Sequence, residues 1–145
     1  MTRGLVLLLH LANLAVAGSG ALWAWMLWFV EPVDEFALQN HPLEDEMQAA
    51  HVLAAPLLVF ALGMTVAVHA LPHLRGGTRA RRRTGILLLA TAGSMSASGY
   101  LLQVAVSEDA RDLLVLLHVA TSVLWCAGLV LHLATRATSE SSAPA

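Results

Sequence analysis

Four long apolar runs separated by short polar stretches make up almost the whole chain. They cover about Leu5–Val30, Met47–Leu74, Gly85–Val106 and Leu113–Ala134. Each reaches the roughly 20 residues needed to cross a hydrocarbon core about 30 Å thick. Lipid offers no partner to a free amide, so every backbone group must bond within its own segment, and the runs are expected to be helices. The connectors are too short to hold a soluble domain. The pattern predicts an all-α, up-and-down four-helix membrane bundle over residues 1–136. Beyond it, ATSESSAPA (137–145) is small, polar and unanchored, and is expected to be a disordered tail.

Composition strengthens this reading. Of 145 residues 57% are hydrophobic and 12% charged, where soluble domains carry roughly a quarter charged. Mean hydropathy is +0.68. The single cysteine, Cys126, lies inside the fourth run, which excludes a disulfide framework and a Cys-rich metal site.

The formal charge of −2 hides an asymmetry between loops. There is no lysine, and five of eight arginines (Arg75, Arg79, Arg81, Arg82, Arg83) crowd the connector between the second and third runs. Arg3 precedes the first run and Arg136 follows the fourth. Glu31, Asp34, Glu35, Glu44, Asp45 and Glu46 occupy the first connector, and Glu108, Asp109 and Asp112 the last, with Arg111 the one base there. The positive-inside rule therefore places both termini in the cytoplasm. Trp23, Trp25 and Trp28 then fall at the outer end of the first helix, as an interfacial belt would. The first run also has features of a secretory signal, with Ala15-Val16-Ala17 as a cleavage site. Its apolar stretch continues to Val30, and His10 and Asn13 interrupt its centre, which argues for a retained helix.

Polar chemistry inside the runs is confined to a few side chains, and histidine leads them. His41 is placed in the acidic outer loop and His73 at the inner interface. His10, His51, His118 and His132 are deeper. His118 and His132 bracket LHVATSVLWCAGLVLH, fourteen residues apart. That is a little under four turns and roughly 21 Å of axis, so both project from nearly the same face. His118 lies six residues from Asp112 and His51 five from Glu46, about 8–9 Å below the outer boundary. His132 is four residues from Arg136 and His10 seven from Arg3, near the inner boundary. The four thus form two depth-matched pairs on different helices.

Two imidazoles at matched depth are what a six-coordinate haem iron needs as axial ligands. Gly18, Gly20, Gly63, Gly93, Gly99 and Gly128 would allow a flat macrocycle to approach the backbone. The competing reading is that each histidine hydrogen-bonds a neighbouring helix, as intramembrane polar residues routinely do. A structural zinc fits less well, since pairs about 20 Å apart cannot share an ion and each lacks a third protein ligand. A proton relay usually brings carboxylates into the membrane, and no acid lies within the four runs.

With these residues in place, the chain resembles the bacterial cytochrome b561 family and its relatives, the cytochrome b subunits of membrane hydrogenases and formate dehydrogenases. The first-run LLHLANLAVAGSG and the third-run TGILLLATAGSMSASGYLL are similar in their small residues and glycine-ended turns. The resemblance implies a four-helix bundle holding two b-type haems, its ligands coming once from the first helix, once from the second and twice from the fourth. On this chain those positions are His10, His51, His118 and His132. Leu11 stands where family members often have tryptophan. The second run offers a further candidate, His69, eighteen residues after His51 and therefore on the same face of a straight helix. An arrangement with His69 in place of His10 as inner ligand stays open. It requires roughly 27 Å between histidines on one helix against 21 Å on the other.

The resemblance further implies an electron carrier of the bacterial cytoplasmic membrane, acting between a quinone pool and a redox partner protein or subunit. Whether it is itself a quinone-linked oxidoreductase or the membrane subunit of one stays open. Nothing in the sequence suggests a nucleic acid partner. The alternative function is a haem-free membrane protein whose histidines serve packing or assembly.

Overall fold

The computed structural model describes residues 1–34, 36–76 and 82–141. It is all-helical, with no strand among the described residues. Four helices follow in chain order: α1 (Arg3–Phe29), α2 (Glu44–Arg75), α3 (Arg82–Leu102) and α4 (Glu108–Ser141). All four are long and apolar enough to cross a membrane. Arg79, Arg81 and Glu35, which helped to set the expected orientation, lie outside the described residues.

Each boundary has a local cause. Thr2 Oγ1 accepts from Leu5 N at 3.3 Å and caps α1. At the other end of α1, the side-chain amide of Asn40 folds back to donate to Leu27 O at 2.9 Å, satisfying a carbonyl the helix leaves open. Glu44, Asp45 and Glu46 fill the first turn of α2, where the helix dipole favours negative charge. α3 ends at Leu102, four residues short of the expected Val106. The tightened turn bonds Gln103 N to Tyr100 O and Val104 N to Leu101 O close it there. Ser107 then starts α4 by accepting from Ala110 N at 3.3 Å, ahead of the expected Leu113. Helical backbone continues to Ser141, into the segment expected to be a disordered tail. Helix already formed propagates readily through Ala, Arg and Glu. Residues 142–145 lie outside the described residues.

The chain divides into two compact units, Met1–Val68 and His69–Ala145. In the first, α1 packs along α2, and the buried residues are Leu9, Ala12, Val16 and Met26 with Leu58, Ala61 and Leu62. In the second, α3 packs along α4. Leu88, Thr91, Met95 and Ser98 recur at three- and four-residue steps and are buried with Thr121 and Trp125. Gly128 lets the helices close, since a methyl there would lie 3.3 Å from Leu88 Cδ2. Outward-facing apolar residues are well exposed: Leu14, Leu53 and Val130 are 70, 79 and 68% accessible. A helix apolar all round suits a lipid surface rather than water.

α2 is not uniform. Val66–Ala70 is a π-helical turn, followed by α-helix with Pro72 in its first turn. Proline has no N–H to give to the carbonyl four residues back, and its ring crowds that carbonyl, so a wider turn relieves both. A π turn takes more residues per revolution than an α turn. His69 lies inside it, so the straight-helix count that put His69 on the face of His51 does not hold.

Candidate functional site

The histidines of the two units are held in different ways, and two of them are held alike. His51, two turns into α2, turns its half-buried ring onto α1. Its Nδ1 lies 2.9 Å from Val16 O, with Ser19 Oγ at 3.5 Å. A carbonyl can only accept, so Nδ1 carries the hydrogen, and in the neutral ring the lone pair is on Nε2. The ring lies directly on Gly20: an added Cβ there would be 2.7 Å from Cε1 and 2.8 Å from Nδ1.

The second unit repeats this. His118 on α4 donates from Nδ1 to Met95 O at 3.0 Å, with Ser98 Oγ at 3.3 Å. A Cβ on Gly99 would lie 3.0 Å from its Cε1. Fourteen residues on, His132 Nδ1 is 2.9 Å from Thr84 Oγ1. A hydroxyl can give or take a hydrogen, so that bond orients the ring without choosing its tautomer. Both histidines of LHVATSVLWCAGLVLH therefore bond to α3, which agrees with their expected placement on one face.

His10 is half-buried on α1. His69 and His73 are neighbours with ring centroids 4.3 Å apart and planes tilted by 54°, and His73 Nδ1 donates to His69 O at 2.9 Å. His41, expected to be a solvated loop residue, is half-buried. It accepts from Leu43 N at 3.1 Å and lies 6.3 Å, centroid to centroid, from Trp25.

The structure adds detail to two expectations. Gly20 and Gly99 lie against the imidazole rings of His51 and His118, while Gly128 serves helix packing. A methyl at Gly18, Gly63 or Gly93 would meet nothing within 4 Å. Of the tryptophans placed in an interfacial belt, Trp25 and Trp28 are exposed, but Trp23 is half-buried and packs 6.2 Å from the His51 ring. Its indole Nε1 is buried with no acceptor among the described residues. A donor left so beside a ligand-type histidine fits a bound group that carries an oxygen acceptor.

A flat, apolar, iron-bearing group with carboxylate arms would suit these features. His51 and His118 carry the tautomer a metal ligand needs, fixed by the carbonyl bond that usually orients ligating histidines. Trp23 offers a hydrogen to an oxygen. No three His, Cys, Asp or Glu side chains gather among the described residues to enclose an ion by themselves. Set against known proteins, the chain stands by its own residues: no protein family, characterised protein or solved structure matches it.

Proposed function

We propose that this chain is a membrane b-type cytochrome that carries two haems and moves electrons between a quinone pool and a redox partner. The observation that supports it best is the matched setting of His51 and His118, each with Nδ1–H on the carbonyl of a neighbouring helix, the tautomer in which Nε2 is the basic nitrogen. Their similar depth in the sequence makes them the ligands of an outer haem. His132, oriented by Thr84, is the inner ligand on α4, with His10 as its partner and His69 as the alternative. Bound haem would supply one-electron redox chemistry.

The chain's own residues do the rest. The carbonyl bonds hold the imidazoles in one orientation, and the Trp23 N–H gives a hydrogen to an oxygen of the bound group. The four spans suit a multi-pass membrane protein; the bacterial cytoplasmic membrane, with both termini inside, is the location and orientation that the resemblance and the arginine asymmetry imply. Electrons must come from a membrane-soluble quinone or a separate subunit, since the connectors cannot hold a flavin or iron–sulfur domain.

A second reading, a haem-free protein in which histidines fasten helices, has support in the same bonds, because every one of them joins neighbouring helices of one unit. The two readings part on a simple measurement. Protein purified from haem-replete cells should be red, with a reduced b-type spectrum and about two haems per chain. A colourless preparation would leave the second reading standing.

A further inference from the structure

The acidic first connector closes on itself just before α2, and His41 is at the centre of the closure. Pro42 disfavours helical backbone at the residue before it, so α2 cannot begin at His41. It begins at Glu44, with Leu43 as an N-cap residue whose side chain bonds none of the open amides. His41 takes the first two. Its carbonyl accepts from Glu44 N at 3.1 Å, and its Nδ1 accepts from Leu43 N at 3.1 Å. Asn40 carries the closure to both helices. Its backbone N donates to Glu44 Oε2 at 3.1 Å, and its side-chain amide donates to Leu27 O, near the end of α1, at 2.9 Å. Residues 40–44 therefore tie the end of α1 to the start of α2, inside the unit Met1–Val68.

The tie needs a neutral ring in one tautomer. An amide N–H can only donate, so Nδ1 of His41 holds the lone pair and Nε2 the hydrogen, the reverse of His51. A second proton would go to Nδ1 and set donor against donor at Leu43. The N-terminal dipole of α2 also opposes a cation at this place. On the other side stand the carboxylates: Glu44, Asp45 and Glu46 in the first turn of α2, and Glu31 and Asp34 in the connector. Among the described residues none of them pairs with the seated ring. The last turns of α1 bring no charge, only Trp25. Its ring centroid is 6.3 Å away, outside the roughly 6 Å over which an indole face attracts a cation. The acids thus favour a charged His41, but only one that has left its seat.

We propose that residues 40–44 are a proton-released clasp: neutral His41 holds the ends of α1 and α2 together, and its protonation lets them part. Histidine ordinarily changes charge between about pH 5 and 8. The clasp is shut at the upper end of that range and released at the lower, which makes the connector a sensor of acidity on the face where it lies. It works with or without haem.

Protein labelled with ¹⁵N and held in lipid vesicles tests this at about pH 8 and about pH 5.5, where carboxylates ordinarily stay ionised. At the higher pH, nitrogen NMR should show His41, identified by its loss in His41→Asn or His41→Ala, as a neutral Nε2–H ring. At the lower pH both of its nitrogens should be protonated. The Leu43 and Glu44 amides and the Asn40 side-chain amide should then exchange with deuterium roughly 3-fold faster or more, once the intrinsic pH dependence is removed. Amides of Leu58 and Ala61, buried in the same unit, should keep their protection.

Asparagine puts an oxygen where Nδ1 was and takes up no proton, so His41→Asn should stay shut at both pH values. His41→Ala should be open at both. An Nδ1–H ring at the higher pH, a ring still neutral at the lower, or protection that does not fall on protonation would overturn the proposal. So would release of Leu43 and Glu44 with the Asn40 side chain still held, which would leave a helix cap and no clasp. The native protein decides these points even where one variant fails to fold.

Discussion

A methyl group at position 20 would stand closer to the His51 ring than any real contact allows, and the same is nearly true of position 99 with His118. Overpacking of this kind costs about 1–3 kcal/mol. Gly20→Ala and Gly99→Ala are therefore expected to lower thermal stability in detergent by that order. Gly63→Ala, where a Cβ meets nothing, should stay within about 0.5 kcal/mol. Equal losses at all three positions would mean that helix flexibility, not the imidazole, decides. Single histidine replacements ask a different question at this scale. On the two-haem reading, His51→Ala and His118→Ala should each remove one and the same haem, and His132→Ala the other. Whichever of His10→Ala and His69→Ala matches His132→Ala in haem count names the inner partner, while the other should be nearly silent. Full haem content in His118→Ala would reject the pairing scheme.

At the scale of the helix, length and apolarity were legible before any coordinates, because lipid demands both and the residue types state them directly. The terminal details were not. Tyr100 and Leu101 accept turn bonds that end α3 early, and Ser107 caps α4 early, inside stretches whose hydropathy still reads as span or loop. The Ser-Gly pairs at 19–20 and 98–99 were visible as small residues, but hydropathy does not say which ring lies on a glycine. Their recurrence before the next helix's first deep histidine was the signal that could have. The π turn at Val66–Ala70 is a further case: counting eighteen residues at α pitch is sound only where the pitch holds. Pro56 lies within α-helical geometry in the same helix, and nothing in the structure explains why only Pro72 follows a widened turn. Pro72→Ala restores an N–H and should return Val66–Ala70 to α geometry, read as a change in backbone chemical shifts over those residues. If His69 is a ligand, its haem spectrum should change with it; an unaltered spectrum would favour His10.

For the molecule as a whole, the charge asymmetry predicts an orientation with both termini inside, which cysteine labelling can check. Single cysteines introduced in a Cys126→Ser background at Val33 or Leu38 should react with an impermeant reagent from outside the cell. One at Gly76 should react only after the membrane is opened. The acidic first connector could guide a basic redox partner or merely stay wetted. Neutralising Glu31, Asp34, Glu44 and Glu46 should leave haem content intact, and turnover with a candidate partner should fall only if guidance is real. The duplicated histidine seat also bears on how the protein is made. Each seat is closed by two helices adjacent in sequence, so its contacts are local and need no loop closure across the rest of the chain. A newly synthesised hairpin can thus set its histidine as soon as both of its helices have entered the bilayer. If the protein holds haem as proposed, these histidines would wait, already aimed, for a cofactor that arrives last. Apoprotein accumulated in haem-starved cells should then take up haem in place, and reach its full spectrum without being unfolded first.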